Sequence, residues 1–131
     1  MENSAKKKLL IVEDEPSARK VMAEKFTREG FDVEMAVNGE EGLAFAIKHH
    51  PDLVLLDIIM PKMDGITMLQ KLREDSDWGK QVPVIILTNI TFDDEKKMEH
   101  LAKLGPECYL VKADWKLADV TKKVEELLGM K

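Results

Sequence analysis

The 131 residues include 44% hydrophobic and 34% charged residues, a composition typical of a soluble globular domain and unlike that of a disordered or membrane-spanning protein. The formal net charge of −5 predicts no nucleic-acid partner, because an acidic surface repels a phosphate backbone. We therefore expect one domain over residues 1–131, with residues 1–7 as a flexible flank that carries a short lysine run.

The apolar stretch after the lysine run, residues 9–12, is too short for a signal peptide, whose core needs about 7–15 apolar residues. The one cysteine, Cys108, permits no internal disulfide and agrees with a reducing compartment. We therefore expect a cytoplasmic protein with no membrane partner.

The chain begins with a strand and a helix. Residues 8–12 predict a buried strand, and Pro16 favours the start of a helix directly after it. Gly30 supplies a stop for this helix. Its predicted inner face holds Ala18, Val21, Met22 and Phe26.

The second strand and helix follow. Residues 31–37 alternate apolar and acidic side chains, which is typical of a strand at the edge of a sheet. Asn38 is a predicted helix cap, and Glu41 would complete a capping box with it. The residues predicted to turn inward from this helix are Leu43, Ala46 and Ile47.

The third strand is a short, unbroken apolar run, residues 53–56, which predicts burial on both faces. Asp57 ends this run. Because a carboxylate is rarely fully buried, we expect Asp57 at the carboxyl edge of the sheet, where open α/β folds bind ligands. From this strand alone, Asp57 either serves a site or only caps the turn before Pro61.

The second half of the chain continues the alternation. After Asp64-Gly65, a third helix is predicted to bury Ile66, Leu69 and Leu72, and residues 76–81 form a polar connection. The remaining predictions are a strand at residues 82–87, a helix at 92–104, a strand at 108–111 and a helix from about 114. The apolar stripe of the last helix comprises Leu117, Val120, Val124, Leu127 and Leu128.

Five strands that alternate with five helices predict an α/β fold, with helices on both faces of a parallel sheet. The alternating second strand belongs at an edge, and the apolar first, third and fourth strands belong inside. With right-handed crossovers, these demands favour the strand order 2-1-3-4-5, the doubly wound, flavodoxin-like arrangement.

Polar residues follow the predicted strands on one side of the sheet: Glu13, Asp14, Asp57, Thr88 and Lys112. They should meet, because the carboxyl ends of parallel strands share one edge. Three carboxylates repel one another unless a cation lies between them, and oxygen ligands without histidine or thiolate suit Mg²⁺ or Mn²⁺. With Lys112 and the Thr88 hydroxyl, the ion would bind a phosphoryl group, and Asp57 would be the nucleophile.

Together with Met60-Pro61, Asp64-Gly65 and Tyr109, this set resembles the receiver domain of response regulators in two-component signalling, over essentially the whole chain. The resemblance implies that Asp57 accepts a phosphoryl group from a histidine kinase, a histidine phosphotransfer protein or a small phosphodonor. It also implies direct Mg²⁺ ligation by Asp14, Asp57 and the backbone carbonyl of Ile59, with Glu13 acting through water.

The resemblance further implies that Lys112 pairs with the phosphoryl oxygens and that Thr88 and Tyr109 form a switch pair. An acyl phosphate adds up to about two negative charges and three acceptor oxygens, enough to draw in a hydroxyl group. The expected partner surface comprises the fourth predicted helix, the fifth strand and the fifth helix, residues 91–128. The protein would be a switch and not an enzyme, limited to self-phosphotransfer and slow autodephosphorylation.

Three positions depart from the family pattern. Ala113 stands where proline usually follows the lysine, Asn89 replaces a small residue, and the acidic pair begins with Glu13. A cis bond before a non-proline residue costs about 2.5–4 kcal/mol, so the loop after Lys112 is either trans and reshaped or held under strain.

Two other functions share this topology. A flavin or small-molecule binding module of the flavodoxin type is disfavoured, because acids stand where a glycine-rich phosphate loop would follow the first strand. A Mg²⁺-dependent phosphohydrolase needs a general acid beside Asp57, and Ile59 occupies that position. No linker follows the last helix, which favours a complete single-domain protein.

In receivers, the positions of Ile59 and Ile90 flank the path of the water that attacks the phosphoryl group. Two bulky apolar side chains there predict a long-lived aspartyl phosphate, unless both residues only pack in the fold. Replacing both residues in the double variant Ile59→Asn, Ile90→Glu should shorten the half-life of the aspartyl phosphate, which is measured as phosphate loss over time. An unchanged half-life would show that they do not shield the site.

Overall fold

The computed structural model describes residues 6–57, 63–88, 99, 102–103, 105, 108–111 and 116–129, and for residues 88 and 108–111 it describes the backbone only. The strands are β1 (Lys8–Val12), β2 (Asp32–Ala36), β3 (Leu53–Asp57), β4 (Val84–Thr88) and β5 (Cys108–Val111). The helices are α1 (Pro16–Arg28), α2 (Gly39–His49), α3 (Gly65–Asp75), α4 (Asp77–Gln81) and α5 (Leu117–Leu127). A helix follows each of the first three strands and the last one, as is typical of an α/β fold, and the short α4 follows α3 directly.

All the strand pairs are parallel, and the strands lie in the order β2-β1-β3-β4-β5. Strand β2, with its alternating acidic residues, lies at an edge, and the fully buried β3 lies between β1 and β4. Because every strand runs the same way, the carboxyl ends of β1 and β3 come together at one edge of the sheet. The predicted α/β class with a parallel sheet is confirmed.

The sheet separates two apolar cores. Strand β1 shows why, since Leu10 and Val12 point to one face and Leu9 and Ile11 to the other. Helices α2 and α3 cover the first face, where Ala46, Leu69 and Leu72 are buried. Helices α1 and α5 cover the second face, and their buried apolar residues are Met22, Phe26, Val120 and Val124. Strands β1, β3 and β4 can be apolar without interruption because both faces of the sheet are covered where these strands lie.

Two residues predicted to be buried are exposed. The side chain of Val21 in α1 is 53% exposed and that of Ile47 in α2 is 36% exposed. Helix α1 packs over β1 and the edge strand β2, so one side of its apolar stripe faces solvent. The buried stripe of α1 is therefore narrower than its sequence pattern suggests, with Met22 and Phe26 at its centre.

The start of α2 departs from the predicted capping box. The Asn38 side chain accepts a hydrogen bond from the Glu41 N–H at 2.8 Å, as expected. The Glu41 side chain, however, accepts from the N–H of Val37 at 3.1 Å and not from that of Asn38. The Gly39 N–H donates to the Met63 carbonyl at 3.2 Å, and a Cβ at Gly39 would lie 2.2 Å from that oxygen. Only glycine therefore permits this close approach.

The predicted polar connection at residues 76–81 contains a short helix, α4. The Ser76 hydroxyl caps it by accepting from the Gly79 N–H at 3.1 Å. The Arg73 guanidinium fixes it to α3 by donating to the carbonyl of Gly79 at 2.9 Å and to that of Val82 at 2.7 Å. Five residues are too few for an apolar periodicity to indicate a helix.

Predictions for the last helix, for residues 92–104 and for the amino-terminal flank remain to be compared with the structure. The last helix begins at Leu117 rather than near residue 114, and the Lys116 N–H donates to Asp119 at its start. The predicted helix at residues 92–104 lies outside the described residues, apart from helical residues 99, 102 and 103. Residues 1–5 of the predicted flank also lie outside the described residues.

Among the described residues, no helix has the length and apolar character that crossing a membrane requires.

The neighbouring residues Met22 and Val21 test the orientation of α1. We expect Met22→Ala to lower the free energy of unfolding by about 2–5 kcal/mol, because it leaves a cavity in the core. Val21→Ala should change it by less than about 0.5 kcal/mol, because its side chain is mostly in water. Urea unfolding measures both values. A large loss of stability in Val21→Ala would contradict an orientation of α1 that leaves Val21 exposed.

Candidate metal centre

Two neighbouring strands bring three carboxylates together. Val12 at the end of β1 lies opposite Leu56 of β3, so Glu13, which follows β1, and Asp57, which ends β3, come side by side. One carboxylate oxygen from each of Glu13, Asp14 and Asp57 lies within 4.8 Å of the others. The acidic cluster expected from the sequence is therefore present at the carboxyl edge of the sheet.

The three acids differ in exposure. Glu13 is 1% exposed and Asp57 is 8% exposed, whereas Asp14 is more exposed and lies on the solvent side of the cluster. Like charges at this distance, partly removed from water, repel each other strongly. Positive charge placed close to the three carboxylates therefore stabilises this arrangement.

The turn between β1 and α1 is fixed by hydrogen bonds of its own backbone. The Glu13 N–H donates to the Ala36 carbonyl of β2 at 3.1 Å, and the Glu15 N–H donates to the Glu13 carboxylate at 3.1 Å. The Glu15 side chain caps α1 by accepting from the N–H groups of Ser17 at 3.1 Å and Ala18 at 2.7 Å. The turn that carries two of the three acids therefore has a defined conformation.

Arg19 is a residue of this site that sequence reasoning missed. Its guanidinium Nη1 donates to the Glu13 carbonyl at 2.8 Å and lies 3.3 Å from the Asp14 carbonyl, to which it also donates. Arg19 lies near the start of α1, from where its side chain reaches back to the turn that carries Glu13 and Asp14. The sequence shows a cation near the acids, but it gives no sign that backbone oxygens are the acceptors.

The donor set fits a small divalent cation. All three side chains offer carboxylate oxygens, which suit Mg²⁺ or Mn²⁺ far better than zinc. Two oxygens bound to one Mg²⁺ ion lie at most about 4.2 Å apart, because each bond is about 2.0–2.1 Å long. A small closing movement of the side chains, or one contact through water, would therefore complete the fit.

The other predicted site residues are described in part or not at all. Thr88 ends β4 and pairs with Val111 of β5, and Tyr109 pairs with Ile86; the backbone of these strands is described. Strand β4 lies directly beside β3, with Leu87 opposite Asp57, so Thr88 follows at the edge where the acids lie.

Two predicted site residues, Lys112 and the metal ligand Ile59, lie outside the described residues. Their roles stay predictions. The same holds for the family departures at Asn89 and Ala113 and for the bulky Ile90.

Comparison with known proteins gives a family match. The response regulator receiver domain family matches residues 9–125. A probable transcriptional regulator, ycf27 of Porphyridium aerugineum, is 40% identical over 107 residues, which cover 82% of this chain and 42% of the relative. The DNA-binding dual master transcriptional regulator RpaA of Synechocystis is 38% identical over 81 residues, which cover 62% of this chain and 33% of RpaA.

The chain spans about one third to two fifths of the length of the curated relatives it matches. The expectation of no nucleic-acid partner, which came from the acidic net charge, is not supported by these comparisons. One relative is named as DNA-binding, and this chain matches only part of its length.

Solved structures agree on the fold. The chemotaxis protein CheY4 of Vibrio cholerae has a TM-score of 0.83 at 28% identity, covering 94% of this chain and 99% of that one. The receiver domain of a sensor histidine kinase from Pseudomonas aeruginosa has a TM-score of 0.83 at 26% identity, covering 95% and 99%. That structure has a magnesium ion coordinated in its active site cleft. The fold is the flavodoxin-like α/β fold of CheY.

The acidic cluster predicts that Asp14→Asn raises the free energy of unfolding without metal and lowers it, relative to the wild type, with metal. Without metal, the variant should be more stable than the wild type by about 1 kcal/mol, because one repelling charge is removed and Asp14 is partly screened by solvent. With Mg²⁺ at a hundred times its Kd, the wild type should gain about 2.7 kcal/mol, and the variant should gain far less.

Urea unfolding in EDTA and in Mg²⁺ measures both effects. Asp75→Asn is the matched control, because Asp75 is an exposed aspartate at the end of α3, outside the cluster. It should respond to Mg²⁺ as the wild type does. Equal Mg²⁺ stabilisation of the Asp14 variant and the wild type would contradict a metal site formed by this cluster.

Proposed function

Because the chain belongs to the response regulator receiver domain family, we propose that it is a phosphorylation-dependent signalling switch that accepts a phosphoryl group on Asp57. The observation that carries the proposal is the position of Asp57. It ends the central strand β3 within 4.8 Å of two further carboxylates, at the edge where the neighbouring strands also end.

The proposed phosphodonor is a phosphohistidine of a histidine kinase or of a histidine phosphotransfer protein. An Asp57 carboxylate oxygen attacks phosphorus and forms a new P–O bond. The P–N bond breaks, and the imidazole keeps the electron pair and takes up a proton. Such a transfer depends mainly on alignment and on neutralising charge, and both are tasks for the residues around Asp57.

In this proposal, Asp14 and Asp57 hold Mg²⁺ directly, together with the backbone carbonyl of Ile59. When bound, the ion neutralises charge on the phosphoryl oxygens. Glu13 acts through water, which is supported by its almost complete burial and by the Glu15 N–H that already donates to its carboxylate. The more exposed Asp14 is better placed to take an ion from solvent.

The proposed response to phosphorylation depends on the ends of β4 and β5. Lys112 would pair with the phosphoryl oxygens, and the Thr88 hydroxyl would move toward them while Tyr109 turns inward. The backbone positions support this, because Thr88 follows the residue opposite Asp57 and Tyr109 lies on the next strand, β5. An aspartyl phosphate adds charge and acceptor oxygens, which is a sufficient cause for such a movement.

The proposed partner surface comprises the predicted helix at residues 92–104 together with β5 and α5. Helix α5 buries Val120 and Val124 against the sheet and exposes residues such as Lys122 and Glu126. We propose that this surface contacts a downstream protein.

We also propose that residues 1–131 form one domain and that the protein lies in the cytoplasm.

The relatives named as transcriptional regulators are longer than this chain. Where a longer protein contacts DNA, we propose that the contact is made outside this acidic domain. The domain itself would have no catalytic activity beyond self-phosphotransfer and slow loss of its own phosphate.

The proposal is tested by incubating the protein with acetyl phosphate and Mg²⁺. Intact-protein mass spectrometry should show the gain of one phosphoryl group by the wild type and by the control Asp75→Asn, and no gain by Asp57→Asn. EDTA should abolish the gain. Persistent phosphorylation of Asp57→Asn would contradict Asp57 as the acceptor.

The same assay separates the alternative functions. Continuous release of inorganic phosphate, in large excess over protein, would indicate a phosphohydrolase. A yellow purified protein that takes up no phosphoryl group would indicate a flavin-binding module.

A further inference from the structure

We propose that Arg19 is a positioning residue for the Mg²⁺ site, which it organises through the backbone of the turn that carries Glu13 and Asp14. The proposal rests on the proposed function of this site. Arg19 lies in α1 and is half-buried, and its Nη1 donates to the carbonyls of both Glu13 and Asp14, at 2.8 and 3.3 Å.

The two carbonyl oxygens belong to the peptide units on either side of the Asp14 Cα. Each peptide unit is planar, so the direction of the Asp14 side chain depends on how these two planes are rotated about that Cα. A donor that binds both carbonyls fixes both planes. The Glu13 N–H is held separately by the Ala36 carbonyl at 3.1 Å. Arg19 therefore holds the carbonyl groups of Glu13 and Asp14, whereas the sheet holds the Glu13 N–H.

The same contact leaves the ligand atoms available. Both acceptors of Arg19 in this turn are backbone oxygens, so these bonds occupy none of the carboxylate oxygens that would bind the ion. The guanidinium also places positive charge next to a cluster of three acids. Arg19 thus offsets repulsion within the cluster without competing for the position of the cation.

Geometry and charge can be separated by substitution. Arg19→Lys keeps the positive charge but replaces a rigid planar group by a flexible amine, whereas Arg19→Gln removes the charge as well. Groups that orient metal ligands typically contribute 10–100-fold to metal affinity. We expect Arg19→Gln to weaken Mg²⁺ binding by about tenfold or more, and Arg19→Lys to recover part of this loss.

Lys20→Gln is the matched control. Lys20 is the next residue of the same helix, it is exposed, and its substitution removes the same unit of charge. Calorimetric titration with Mg²⁺ should give Lys20→Gln the affinity of the wild type within about twofold, because an exposed charge is screened by solvent. If Lys20→Gln weakened binding as much as Arg19→Gln, the effect would be one of net charge and the positioning role would be overturned.

Two further measurements separate positioning from general destabilisation. Urea unfolding in EDTA reports whether each variant is folded, and amide NMR spectra of the metal-free proteins report whether the backbone of residues 13–15 has shifted. We expect shifts at these amides in Arg19→Gln, smaller shifts in Arg19→Lys and none in Lys20→Gln. If Arg19→Gln does not fold, the test depends on Arg19→Lys. That variant must then bind Mg²⁺ more weakly than the wild type, and equal affinity would overturn the proposal.

The outcomes distinguish this proposal from the proposed function. Wild-type protein that binds Mg²⁺ and is phosphorylated, with an Arg19→Gln variant of equal Mg²⁺ affinity, would overturn the role of Arg19 alone. Wild-type protein that binds no Mg²⁺ and takes up no phosphoryl group would overturn both.

Discussion

The parallel pairing of β1 with β3 is the constraint on which the site depends. It sets Val12 beside Leu56, so that Glu13, directly after β1, and Asp57, at the end of β3, are neighbours. Three acids within 4.8 Å, two of them almost completely buried, form an arrangement that the fold imposes against their mutual repulsion. The energy to hold them there comes from the apolar strands beneath, which are buried on both faces of the sheet.

The acidic turn is held from several directions. The edge strand β2 binds the Glu13 N–H through Ala36, and Glu15 caps α1 at the other end of the turn. Arg19 binds the carbonyl oxygens between these two points. A preorganised backbone means that little rearrangement is needed when an ion binds, which is how groups around a metal site raise its affinity.

The sequence predicted most of what depends on periodicity and on strand direction. The unbroken run ending at Asp57 indicated a buried parallel strand, and strand direction alone then brought Glu13, Asp14 and Asp57 to one edge. Details set by tertiary contact were missed. The exposure of Val21 depends on where α1 lies over the sheet edge, and α4 depends on Arg73 and Ser76, which a five-residue segment does not reveal. The role of Arg19 depends on backbone acceptors, which have no sequence signature.

The proposed divalent-cation site is formed by the acids at the ends of β1 and β3, beside Asp57. It is tested most directly by diffraction from crystals grown with Mn²⁺, using the anomalous signal of the metal. We expect a single strong peak within bonding distance of the Asp14 and Asp57 carboxylate oxygens. A map with no peak there, or with the metal bound elsewhere and these two side chains turned apart, would contradict it.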